Sequence, residues 1–393
     1  MSIELNQTAD SLRHERKELF MDVVKRRKKP SRIPLISSDS LWKICDEGEK
    51  FSIALNDYDR LYEIMCAYHE RYDFDSYTGY SARNTIPFTN ALGEGMYIMG
   101  DDPNSLTVRD DFPMRGDEYG ELAEKGIVKF CLENLICRLF HYKTREEDVE
   151  HLKAATPWLM KYSDYYSRVS AKFVHGYGVP KIESCGYQVS FENYSFGLRG
   201  IKETAMDLRR RPQEMLDAME KMEEYYWPAF TSAAENLRYS DEVVFDTSTC
   251  PMNYTLLSPK QFAKFYWPWM KRYFDFVEAH DQTSYIFAEG SFANKIDFFR
   301  DIPEKRVGVL VEEDDPAFVK KALPNLTVIG GYPSMVLGQE SREKNLSTVK
   351  KLVEECASDG NYIFSMDKML SYPRDCNREN LLAVLDYLRS VTL

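Results

Sequence analysis

The chain has 393 residues, 44% of them hydrophobic, and its 63 acidic against 51 basic side chains leave a formal net charge of −12. That balance argues against a general nucleic-acid surface, and no apolar run approaches the roughly 18 residues that would suggest a membrane span. Residues 1–10 carry no apolar signal core, so a cytoplasmic enzyme or binding protein, with no membrane among its partners, is expected.

The eight cysteines are scattered without a CxxC pair and read as free thiols, and the six histidines form neither HExxH nor HxH. In chain order, residues 9–28 have helical character. The basic run Lys25 to Lys29 sits at their end just before Pro30, where positive charge complements the helix dipole. Arg32 to Asp39 reads as a first strand ending in small polar residues and an acid. A helix is expected over 56–71 and a second strand over Tyr72 to Tyr77. Met96 to Met99 and Leu106 to Arg109, joined by the turn Asp101-Asp102-Pro103-Asn104, read as a hairpin rather than a barrel unit. Two long amphipathic stretches follow, at about 116–140 and 146–171.

From Lys181 the rhythm becomes regular. Gly186 to Glu192 is strand-like, and a helix then ends near Arg209. A helix over 212–238 leads to a strand at Glu242 to Asp246. Ser258-Pro259 opens a helix through His280, with serine as N-cap and proline in the first turn. Strands are expected in the stretch Tyr285 to Ser291, where an apolar run ends on Glu289 and Gly290, and at Arg306 to Val311, Leu326 to Gly330 and Tyr362 to Ser365, with helices at 293–300, 315–322 and 345–358 between them. Eight strands alternating with helices at this spacing predict an α/β fold, a (β/α)8 TIM barrel. Residues 1–29 form an N-terminal helical arm, residues 30–393 the barrel, and the hairpin and helices at about 93–171 an insertion. No GxGxxG or GxxxxGK[ST] follows any strand.

Barrel active sites lie at the C-terminal strand ends. Those ends carry Asp39, Glu192, Asp246, Glu289, Glu312 or Glu313, and Asp367, with Lys368 as the nearby cation. Crowded carboxylates cannot all stay ionised, so one or more holds a proton near neutral pH. A protonated acid can donate to a leaving oxygen and an ionised one can hold a metal, and both roles stay open. Glu289 is the first choice because Gly290 beside it lets the backbone turn sharply. Tyr97, Phe191, Tyr194, Tyr254, Phe287 and Tyr332 lie beside strand ends or loops, where they would line a pocket for a flat apolar ligand.

The order of motifs from about Asp22 to Leu388 resembles the uroporphyrinogen decarboxylase superfamily, which includes corrinoid-dependent methyltransferases. It is densest in Arg32-Ile33-Pro34, Leu257 to Phe262, the strand to Glu289-Gly290, Val328 to Pro333, and Gly360 to Ser365. The resemblance implies a TIM barrel. Decarboxylases of the family carry an arginine-containing segment after the first strand, and Leu35 to Trp42 has no arginine. Thiol-activating methyltransferases use His-x-Cys and a later Cys to bind zinc, whereas Phe287, Glu289 and the Asp367-Lys368 pair stand at or near those places. The zinc thiolate site is therefore expected to be lost, while Glu289 remains available as a metal ligand. What remains looks like the corrinoid-dependent O-demethylase branch. Its members pass a methyl group from an ether, often an aryl methyl ether, to cobalt(I) of cobalamin on a separate corrinoid protein. The strand-end reading thus puts Glu289, Asp246, Glu192, Asp367 and Lys368 forward as the catalytic group, and the resemblance implies a methoxylated aromatic as substrate whose departing phenoxide an acid such as Glu289 could protonate. A decarboxylase, or a non-catalytic partner of a corrinoid protein, is the alternative.

Overall fold

The computed structural model describes residues 2–393 apart from 81–84, 94, 96, 110, 111, 143, 236, 238 and 239, so Met96 and Arg238 of the predicted elements lie outside the described residues. Ten strands are present among the described residues: β1 (Ile36–Ser37), β2 (Ser76–Tyr77), β3 (Tyr97–Met99), β4 (Leu106–Val108), β5 (Lys181–Gly186), β6 (Val243–Thr249), β7 (Ser284–Phe287), β8 (Val307–Val311), β9 (Thr327–Gly330) and β10 (Tyr362–Ile363).

Eight of them make a parallel (β/α)8 barrel. β5 to β10 form one six-stranded parallel sheet in sequence order, and β1 pairs in parallel with β2. One seam is closed by Ile36 N donating to Phe364 O and Phe364 N to Pro34 O, both at 2.9 Å. At the other, Ser76 Oγ donates to Pro180 O at 2.9 Å. β-Branched and aliphatic runs such as Val307 to Val311 are buried along their whole length, as strands covered on both faces require. In the lumen Ile36, Ile182, Phe245, Tyr285, Leu310, Ile329 and Ile363 make one cluster. Gly308 leaves room for it: a Cβ there would lie 2.6 Å from Ile329 Cδ1.

The helix Ser2–Val24 closes the N-terminal end of the barrel. Phe20, Met21, Val23 and Val24 join the lumen cluster. Arg16 Nη1 donates to Tyr177 O and Gly178 O, and Lys17 Nζ to Val244 O at 2.8 Å, tying the helix to backbone at the β5 and β6 entrances. At the end of this helix, Lys28 pairs with Asp22 and Arg26 donates to Leu326 O. Between β2 and β5 the chain leaves the barrel for the antiparallel hairpin β3–β4, several short helices, and Arg145–Ala171, which opens on a Thr144/Glu147 capping box.

Several predicted elements differ, two of them most. The helix expected to run unbroken from Ser258 to His280 is two, Pro259–Phe265 and Trp267–Ala279, because Pro268 has no N–H to continue the first. The fifth strand is Lys181–Gly186, not Gly186–Glu192. All eight cysteines are free. Among the described residues no helix is long and apolar enough to cross a membrane.

Candidate active site

A cavity of about 410 Å³ opens at the C-terminal mouth of the barrel. Glu183 on β5 enters it from the lumen. Ser248 and Thr249 end β6, with Cys250 and Met252 following, and β7 contributes Tyr285, Phe287 and then Glu289. Thr78 after β2, Tyr97 of the hairpin, Phe196 and Met369 complete the wall. Among the described lining residues there are two carboxyl groups and no lysine, arginine or histidine.

The cavity floor carries buried polar groups. Burial pushes the Glu183 carboxyl up to about 7, with Lys181 the charge that opposes the shift. Thr249 Oγ1 and Tyr285 OH are buried without a hydrogen-bond partner. Unpartnered hydroxyls cost free energy in a stable fold, so their place in a cavity wall marks them for a ligand.

The rim is held by neighbouring acids. Gly290 adopts φ +68°, and its N–H donates to Glu312 Oε2. Ser291 Oγ and Phe292 N donate to Asp314, and Glu289 N donates to Pro251 O at 2.9 Å, fastening the loop after β7 to its neighbours on both sides. Glu289 is exposed at this rim and lines the cavity, as Tyr97 and Phe287 do.

The other sequence-predicted residues lie elsewhere. Asp246 is not at the mouth, because β6 runs three residues past it to Thr249. Its Oδ2 accepts from Thr283 N at 2.8 Å and Thr283 Oγ1 at 2.9 Å, beside Lys17 and Lys25 at the closed end. Glu192 follows β5 in a helical turn and is buried. Its carboxylate accepts from Met252 N (2.9 Å), Asn253 N (2.8 Å), Tyr254 N (3.2 Å) and Tyr266 OH (3.0 Å). Those donors favour the anion, yet burial outweighs them and pushes this carboxyl to about 7. Asp367 accepts from Ser334 N at 3.1 Å, and burial raises its carboxyl. Lys368 pairs with Asp375 at 3.3 Å. Asp39 is fully enclosed, between Ser37 Oγ and Lys43 Nζ at 2.5 Å.

Four predicted wall aromatics are core residues instead. Phe191 packs on Tyr266, Tyr194 bonds Tyr119 and Asp207, Tyr254 lies under Lys295, and Tyr332 OH donates to Asn345 Oδ1 at 2.7 Å. The residues missed were Glu183, Thr249, Tyr285 and Phe196. The short polar–apolar–polar run Lys181-Ile182-Glu183 just after Pro180, broken by Ser184, was the only local signal for the first. Among the described residues, no three His, Cys, Asp or Glu side chains converge as a metal site.

The profile of the uroporphyrinogen decarboxylase (URO-D) family matches residues 193–390, just over half of the chain. The chain belongs to the uroporphyrinogen decarboxylase family. The family match begins next to Glu192 and takes in β6 to β10, so it covers most of the mouth but not Glu183 or Tyr97. Among solved structures, a methyltransferase from Methanosarcina mazei superposes with a TM-score of 0.59, covering 95% of this chain and 99% of its own, at 15% sequence identity. That likeness is one of fold. No curated protein sequence matches the chain.

Proposed function

We propose that this chain transfers a methyl group from a methyl ether, an aryl ether foremost, to the cobalt(I) of cobalamin carried by a separate corrinoid protein, leaving a phenol. The observation that carries the reading is the mouth cavity itself, with aromatic walls, two carboxyl groups and two unpartnered hydroxyls. Family membership and the fold of a methyltransferase support it.

The corrinoid enters as second substrate and supplies a nucleophile that needs no activating base. The chain's own work is therefore positioning and proton supply. Tyr97, Phe196 and Phe287 offer flat apolar surface to a ring, and holding the methyl carbon in line with the opening removes the entropy of a random encounter. As the carbon–oxygen bond breaks, its electron pair stays on the aryl oxygen. A carboxyl at the cavity, Glu183 or Glu289, can protonate that oxygen, and such help is worth about 10² to 10⁴ in rate.

Decarboxylation of a porphyrinogen is the reading the family name suggests. A polycarboxylate entering this cavity would meet Glu183 and Glu289 with no cation among the described lining residues, so the charge disfavours it. Incubation with cob(I)alamin and a panel of methoxyarenes tests the proposal: the cobalamin absorption spectrum converts to that of the methylated form and the phenol accumulates. Loss of a carboxylate from a porphyrinogen, with no change in the cobalamin spectrum on any ether, would replace it by decarboxylation.

A further inference from the structure

We propose that Glu183 is the proton donor to the departing oxygen, and that the hydroxyls of Tyr285 and Thr249 hold that oxygen while it carries charge. The assignment rests on the ether reading above and narrows it to three side chains.

Three observations converge. Glu183, Thr249 and Tyr285 come from adjacent strands, since β5 pairs with β6 and β6 with β7, and all three line one cavity. Thr249 Oγ1 and Tyr285 OH are 3% and 4% exposed by residue and have no hydrogen-bond partner in the protein, so each has a free donor for an oxygen in the cavity. Glu183 is part-buried on β5 whereas Glu289 stands exposed at the rim, so of the two Glu183 is the better placed to hold a proton away from solvent until the bond breaks.

The titratable groups around Glu183 are Lys181, Cys185, Tyr80, Tyr166, Tyr273 and Tyr285. Burial raises the thiol and all four phenols, so they stay neutral where Glu183 titrates, and Lys181 is the one charge opposing its protonation. Across the cavity Glu289 adds a carboxyl and Cys250 a thiol.

The step balances. The methyl carbon bonds to cobalt(I), the ether bond breaks toward oxygen, and the electron pair left there takes the Glu183 proton. Phenol departs and the Glu183 carboxylate regains its proton from water at the mouth. Preorganised donors at a developing oxyanion in a dry site stabilise the transition state more than the ground state.

The test compares two donors on wild type, Glu183→Gln and Tyr285→Phe. One is a methoxyarene that leaves as an ordinary phenol, and the other is a nitro-substituted methoxyarene whose phenoxide leaves unprotonated. With the ordinary donor, the wild-type rate is expected to decline as pH rises through about 7, and E183Q is expected to lower kcat by about 10² to 10⁴ and to abolish that decline. With the nitro donor the same variant is expected to fall less than about tenfold. Y285F is expected to lower kcat on the ordinary donor more than it raises KM. Equal losses on both donors, or an unchanged pH profile in E183Q, would overturn the assignment and leave ether cleavage standing. Wild type inactive on both donors would overturn the ether reading as well.

Discussion

Replacing Glu192 by alanine removes the acceptor shared by Met252 N, Asn253 N, Tyr254 N and Tyr266 OH. Three of these donors open the helical turn Asn253–Leu256, which follows the cavity residues Cys250 and Met252. Each buried donor left unsatisfied costs about 1 kcal/mol or more, so the four together set a loss of roughly 4 kcal/mol. Water entering the space vacated by the carboxyl recovers part, leaving an expected destabilisation of about 2–4 kcal/mol. Glu192→Gln keeps one acceptor oxygen but sets an NH2 against the remaining donors, for an expected loss of about 1–2 kcal/mol. Urea unfolding followed by circular dichroism measures both at pH 5, below the range in which the raised wild-type carboxyl ionises, so that no cost of burying its charge offsets the lost hydrogen bonds. An alanine variant within about 0.5 kcal/mol of wild type would refute the anchoring role and return Glu192 to the candidates for chemistry.

Other consequences follow from the same electrostatics. Asp39→Ala removes the carboxylate paired with the fully buried Lys43 ammonium and is expected to cost about 3–5 kcal/mol in urea unfolding, whereas Asp39→Ala combined with Lys43→Met recovers much of it; an additive double variant would contradict the pairing. The folded-state carboxyl of Glu183 is raised from 4.5 to about 7, so its contribution is fully present below about pH 4.5 and is lost as pH rises toward 7. Glu183→Gln should therefore flatten the fall in stability over that window, by up to about 3 kcal/mol, and parallel stability profiles for the two proteins would contradict the burial of this group.

Most of the barrel was legible because its later strands are short apolar runs punctuated by glycine and acid. Val307 to Val311 and Thr327 to Gly330 lie within a residue of where the pattern puts them. β5 was not, since Lys181, Glu183 and Ser184 interrupt its apolar pattern with polar groups. A mid-strand carboxyl there faces the cavity instead of packing in a core. The neighbouring apolar run at Gly186 to Glu192 drew the strand assignment, although Val189 to Glu192 turns helical to set Glu192 against the 253–256 turn.

The same error of register misplaced Asp246. A strand that appeared to end on an acid continues through Thr247, Ser248 and Thr249, so its true mouth residues are hydroxyls. Of the mouth acids expected, Glu289 lines the cavity because Gly290 turns the chain there. Glu312 serves by holding that turn, a tertiary bond that no local pattern encodes. The aromatic wall was legible at Tyr97 and Phe287, which stand at strand ends. Tyr194, Tyr254 and Tyr332 look alike in sequence, and only their burial separates them.

The central claim is that the methyl group leaves oxygen inside the cavity bounded by β5, β6 and β7. Carbon-13 NMR of a single turnover, with a methoxyarene labelled in its methyl carbon and cob(I)alamin, compares wild type with Thr78→Trp, which fills the cavity from the β2 side. The label is expected on cobalt in wild type and to remain in the ether in the obstructed variant, whose circular dichroism matches wild type. Label reaching cobalt equally in both proteins, or staying in the ether in both, would contradict the account.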